Sequence, residues 1–183
     1  MQRKSLALAA LVCATGAQFA NASDGTINFN GELMNQSCTI SVNGVVSPTV
    51  ATVTLPTIST SQLTVAGQTS YHTNFNIQLH KCVSVSGRTF TAAAFFEAGS
   101  TVDPLSGNLK NVSGTAGNVQ LQLVDPVTGT PIKAGSTTQR AQTTRNTIVG
   151  DAADMAYAVR YYATGATTAG TVVGSVTFSV DYL

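Results

Sequence analysis

Few residues in this sequence carry side chains able to do chemistry. His72 and His80 are the only imidazoles, and the three cysteines stand at 13, 38 and 82. No two cysteines have the CxxC spacing of a zinc or redox site, and two histidines add little to a ligand set. Asp151 and Asp154 sit in a polar stretch beside Gly150 and could hold a cation, but aspartates next to glycine in loops more commonly form turns. Nucleophile elbows, HExxH helices, P-loops and dinucleotide-binding glycine patterns are absent. A nucleophile with its base, paired carboxylates or converging metal ligands are therefore not found. The expectation is a protein with no catalytic residues, no metal and no cofactor.

Two weaker signals remain. Tyr157, Tyr161 and Tyr162 could build a sugar-stacking platform, but aromatics alternating along a strand usually belong to a packed face, and Trp is absent. Asn35-Gln36-Ser37 and Asn111-Val112-Ser113 match the glycosylation acceptor pattern, which chance supplies readily in a Ser/Thr-rich chain, and they are assigned no role.

The setting of the cysteines comes from the start of the chain. Arg3 and Lys4 precede an uncharged apolar run from Leu6 to Ala17, and Ala20-Asn21-Ala22 has the small-x-small form of a cleavage site. Residues 1–22 read as a signal peptide, because spanning a bilayer takes about 18 or more apolar residues. Cleavage there removes Cys13 and leaves Cys38 and Cys82 as an even pair in an oxidising compartment, where a disulfide is expected. By the chain-entropy formula a loop of that size is worth about 4 kcal/mol.

The remaining 161 residues fit one domain, 23–183. They carry seven basic and eight acidic residues, so no basic field draws nucleic acid or anionic lipid. Only 9% of the chain is charged, and a near-neutral surface of this kind does little to oppose association.

The elements that must position these residues are strands. Thr, Ser, Ala, Gly, Val and Asn dominate, which favours pleated strands and turns over helices. Thr26–Leu33 alternates, with Ile27, Phe29, Gly31 and Leu33 on one face. Thr39–Val42 and Val50–Leu55 read as short strands separated by Asn43-Gly44 and Pro48. Phe75, Ile77 and Leu79 alternate with polar residues, leaving His80 toward solvent and delivering Cys82 to where Cys38 can reach it. Arg88–Glu97 is nearly continuous in apolar residues and reads as a more fully buried strand.

Residues 99–117 read as a long connection with at most one short strand near Leu109–Val112. Val119, Leu121 and Leu123 alternate with Gln120 and Gln122; Thr130–Lys133, Asn146–Val149 and Met155–Ala163 are further strands. The clearest is the last, Gly174–Leu183, with Val176, Phe178, Val180 and Tyr182 sharing one face. Short strands between turn signals, without a convincing amphipathic helix, predict an antiparallel immunoglobulin-like β-sandwich.

Four features in order carry a family resemblance. Phe29-Asn30-Gly31-Glu32-Leu33 lies upstream of Cys38, Phe75-Asn76-Ile77-Gln78-Leu79 precedes Cys82, Val159–Ala166 follows, and Tyr182 is a penultimate aromatic; Gly170 stands fourteenth from the end. The chain resembles the type 1 fimbrial major and minor subunits assembled by the chaperone–usher pathway of Gram-negative bacteria.

That resemblance implies an incomplete immunoglobulin-like β-sandwich lacking its last strand, completed by a donor strand from another subunit. It implies a structural subunit of a surface fimbrium, exported through the periplasm and supporting adhesion. The implied partners are a periplasmic chaperone that first lends a strand, an outer-membrane usher, and neighbouring subunits in a homo- or hetero-polymer. Residues 23–34 would be the N-terminal extension, with Ile27, Phe29 and Leu33 filling successive pockets and Gly31 passing a shallow or blocked point. Gly170, Val176, Phe178, Val180 and Tyr182 would form the acceptor groove and the chaperone and usher contact. The alternative is a minor or tip-associated adhesive subunit that binds host glycans. Only Ser23-Asp24-Gly25 would precede the donor motif, which is closer to the short extensions of minor subunits.

Overall fold

The computed structural model describes Asn28, Asn30, residues 37–83 and residues 89–183. The chain divides into two compact units, Met1–Leu33 and Met34–Leu183. The signal-peptide reading and donor positions Ile27, Phe29, Gly31 and Leu33 lie outside the described residues. Every described strand belongs to the second unit.

Alternating side chains set the two sheets. The larger contains β1 (Ser37–Val42), β2 (Val45–Val46), β3 (Thr69–Val83), β5 (Leu109–Lys110), β6 (Val119–Val124), β7 (Pro131–Ile132) and β9 (Ala153–Ala163). They are ordered β2-β1-β3-β9-β6-β5, with β7 also pairing β6. The smaller has the order β10-β4-β8, from Phe178–Tyr182, Thr91–Phe96 and Asn146–Thr147. All pairings are antiparallel. Phe75, Ile77 and Leu79 from β3, Met155, Tyr157 and Val159 from β9, and Leu121 and Leu123 from β6 meet Ala92, Ala94 and Phe96 from β4 in one core. The sandwich expected from the alternation is present.

One parity break explains the cysteines. Inward positions on β3 are odd-numbered through Leu79, which would turn Cys82 outward. Between the pairs Thr39–His80 and Ser37–Val83, β3 holds one residue more than β1, and Lys81 takes φ +52°. This bulge restores the inward direction, so Cys82 is buried and bonded to Cys38, with their Cα atoms 4.1 Å apart.

Tyr157 joins the two sheets. Its ring stands edge-on to Phe96 at 5.2 Å and tilted to Phe75 at 5.8 Å, and its hydroxyl oxygen accepts the Ala94 N–H at 2.7 Å. Burial pushes the phenol upward, although the Ala94 N–H opposes this. Tyr157→Phe keeps the ring and orphans a buried amide, at an expected cost of about 1–3 kcal/mol in a urea melt. An unchanged midpoint would show that the ring alone joins the sheets.

Several expectations are corrected. Val50–Leu55 is extended but pairs with no strand, and only Phe178–Tyr182 of the predicted Gly174–Leu183 strand is laddered. Val45–Val46 forms a short strand that the sequence pattern does not mark. Gln122, which alternates with Leu121 and Leu123, is buried as they are; its amide donates to Asn108 Oδ1 and its Oε1 accepts from the Arg160 guanidinium. A one-turn helix, α1 (Gln139–Gln142), is also present.

Candidate functional site

Edges of sheets expose unpaired N–H and C=O groups, and this fold covers one such edge with side chains. On the side of β4 away from β10, β8 pairs only Thr91 and Ala92. Beyond it, Ala94 N–H is taken by Tyr157, and Gln139 of α1 bonds Phe96 N–H and C=O through its amide, both at 2.9 Å.

The outer edge of β10 has no such cover among the described residues. Thr91 and Leu183 exchange both backbone bonds, at 2.8 and 2.9 Å. Alternation along the ladder then turns the N–H and C=O groups of Phe178, Val180 and Tyr182 away from β4. The same parity continues through 171–177. Thr171, Val173 and Thr177 have backbone groups bonded from behind, to residues 111–116 and Glu97. Val172, Gly174 and Val176 have no backbone hydrogen bond within the described residues.

These even-numbered positions also turn inward. Val172, Val176, Phe178, Val180 and Tyr182 are half-buried and pack on the core, while Thr171, Val173, Ser175, Thr177 and Ser179 are exposed. Phe178 lies tilted against Phe96 at 6.4 Å. Burial raises the Tyr182 phenol above its ordinary range, as an apolar wall should. One strip from Val172 to Tyr182 therefore combines unspent backbone groups with incompletely covered apolar side chains.

A second extended segment has the same character. Ala51, Val53 and Leu55 are half-buried while Val50, Thr52 and Thr54 are exposed. Val53 and Leu55 pack on the same core as the strip. Within the described residues no backbone–backbone hydrogen bond fixes residues 50–58; a side chain touches them where the Tyr161 hydroxyl donates to Pro56 O at 3.1 Å.

The strip is braced from behind by residues that the sequence pattern does not mark. The Arg145 guanidinium donates to Asp181 Oδ2 at 2.7 Å, to Asp181 O at 2.8 Å, and to Thr91 Oγ1 and O at 3.0 and 3.1 Å. It ties the end of β10 to the start of β4. At the other end, Asn111 bonds Val173 and Thr171. Arg145 sits in a polar run that reads as loop, and nothing in its neighbourhood signals this role.

Of the predicted site residues, Val176, Phe178, Val180 and Tyr182 come together on the strip. Gly170 does not face inward: it is exposed with φ +155°, and a Cβ there would lie 2.4 Å from Ala116 N. Its lack of a side chain serves close packing against residues 115–116. His80 is exposed, as expected, and its Nε2 lies 3.3 Å from Ser41 Oγ. Tyr157 belongs to the core rather than to a sugar platform. Asp151 and Asp154 are exposed, and no group of three potential metal ligands occurs among the described residues.

Other carboxylates serve turns. Asp103 and Asp125 open matching Asp-Pro-x-x-Gly loops in which Oδ1 accepts the N–H two residues on, at 2.9 Å in each. Burial pushes Asp125 upward, but hydrogen bonds led by Thr144 outweigh it and hold the carboxyl below its usual range.

Comparison with known proteins places this geometry. The family described as "FimA: Type-1 fimbrial protein, A" matches residues 55–183. The major fimbrial subunit SMF-1 of Stenotrophomonas maltophilia is 40% identical over 168 residues, covering 89% of this chain and 95% of that protein. The F17 fimbrial protein of Escherichia coli is 33% identical over 176 residues, covering 94% of each. The crystal structure of the P pilus rod subunit PapA superposes with a TM-score of 0.56 at 17% identity, covering 80% of this chain and 99% of that one, a likeness of fold.

Proposed function

Since the chain belongs to the type-1 fimbrial protein A family, we propose that the strip from Val172 to Tyr182 is the acceptor edge for a strand donated by another subunit. The chain is a structural subunit of a surface fimbria and polymerises with other pilus subunits. The observation that carries the proposal is the shared parity of the strip: the residues with inward side chains are those whose backbone faces the open edge. A β-strand laid there would satisfy both at once.

The donor we assign is Thr26–Leu33 of the neighbouring subunit. Eight residues span about 26 Å and the edge from 172 to 182 about 36 Å, so the donor covers most of it. Burying Ile27, Phe29 and Leu33 at about 1.5–3 kcal/mol each, together with a ladder of main-chain bonds, makes a link that dissociates slowly. Before assembly a periplasmic chaperone lends a strand to the same edge, and an outer-membrane usher receives the complex. No catalytic role is assigned to any residue.

Deleting residues 23–33 tests the assignment. The shortened subunit should still be recovered with its chaperone and should not extend past itself into SDS-resistant ladders. Incorporation within the fibre at the full-length rate would overturn it.

A further inference from the structure

We propose that Asn111 is a positioning residue for the acceptor edge, holding its upper half, Thr171–Val173, in the register that presents Val172 and Gly174 to an incoming strand. This rests on the strand-acceptor reading above and adds the residue that prepares the edge. Segment 171–177 belongs to no strand ladder, unlike β10, so its backbone must be fixed by other means.

The Asn111 side chain makes four bonds. Its Oδ1 accepts from Val173 N–H at 2.8 Å and Gly114 N–H at 3.0 Å, and its Nδ2 donates to Ala116 O at 2.8 Å and Thr171 O at 3.3 Å. Two donors and two acceptors exhaust what a carboxamide offers. The sequon Asn111-Val112-Ser113 is thereby accounted for: the nitrogen a glycan would need is spent inside the structure.

The loop around Asn111 stands in for a strand behind the edge. Val112 N–H donates to Val173 O at 2.9 Å and Ala116 N–H to Thr171 O at 3.0 Å. Thr171 N–H donates to Thr115 Oγ1 at 3.0 Å, and Thr115 N–H to Thr171 Oγ1 at 3.1 Å. The approach requires two glycines: a Cβ on Gly114 would lie 2.1 Å from Thr171 O, and one on Gly170 2.4 Å from Ala116 N. With Thr171 and Val173 tied backward, chain alternation commits Val172 and Gly174 to the open side. Freed of Asn111, the segment would have to be ordered during strand capture, which lowers apparent affinity by the fraction of time the edge is preformed.

The test uses the full chain and a synthetic peptide of residues 23–33. Asn111→Ala and Asn111→Asp are compared with wild type and with Asn118→Ala, which removes one bond to Ala166 O and none to the edge. Both Asn111 variants should capture peptide about tenfold or more slowly, a size set by loss of a preformed edge. Their peptide-filled forms should melt close to wild type, because the added strand then holds the edge from the front. Asn118→Ala should capture at the wild-type rate. Amide exchange supplies a second measurement: Val173 N–H should lose protection in Asn111→Ala, which removes its acceptor, while the β9 amides keep theirs. Wild-type capture rates in both variants, or a filled form destabilised as much as the empty one, would overturn the proposal. If wild type itself captures no peptide, the acceptor reading falls, and this inference with it.

Discussion

Val180→Asp should abolish strand capture. Val180 lies at the middle of β10, inward and half-buried, with its backbone facing the open edge. A strand laid on that edge closes over the side chain, and a carboxylate there would be buried with no cation among the groove-facing residues from 172 to 182. A buried, uncompensated charge costs about 3–5 kcal/mol, which corresponds to a hundredfold or greater weakening of the complex. The measurement is peptide capture or ladder formation beside Ser175→Asp, which puts the same charge on the exposed parity. Ser175→Asp should assemble. Equal losses in the two variants would mean that total charge, and not the facing of the strip, decides assembly.

That contrast depends on periodicity, which is the part of the fold most legible in the sequence. Val176, Phe178, Val180 and Tyr182 can be placed on one face because a strand alternates with period two, whatever pairs with it. The same rule marks Phe75, Ile77 and Leu79, all buried. It cannot tell that Gly174–Thr177 and Val50–Leu55 lie extended without a ladder, because pairing depends on a neighbour that alternation does not name. Lys81 shows a second limit. A bulge shifts parity by one, and nothing in Leu79-His80-Lys81-Cys82 announces it; the cysteine count carries the disulfide instead.

Buried polar residues are the least legible. Asn108, Gln122, Gln139 and Asp125 are all buried, and by type each reads as surface. Their burial is tolerable only because distant residues complete their hydrogen bonds, as Gln139 does with Phe96, 43 positions away. Asn111 escapes notice for the same reason: its partners at 171 and 173 are remote in sequence, so only the local Asn-x-Ser pattern is visible. Gly170 stands out, but through its position from the end, and its work against Thr115 and Ala116 lies on the far side of the edge it borders.

Removing the disulfide, as Cys38→Ala with Cys82→Ala, should lower stability by about 4 kcal/mol on the chain-entropy formula for the 44-residue separation. Against a typical total of about 5–15 kcal/mol this is a large fraction. It corresponds to a fall of about 8–16 °C in Tm for a domain of this size. The bond fixes β1 against the end of β3, and the chain leaves β1 and β2 to become the unladdered segment 50–58 beside the core. Loss of the bond therefore acts on assembly through that segment, whose backbone has no ladder of its own. The double variant and the dithiothreitol-treated wild type should show the same lowered melt when filled with donor peptide, and capture should fall further in the empty form. A melt within about two degrees of the oxidised protein, well inside the expected fall, would show that β1 is held by its pairing with β3 alone.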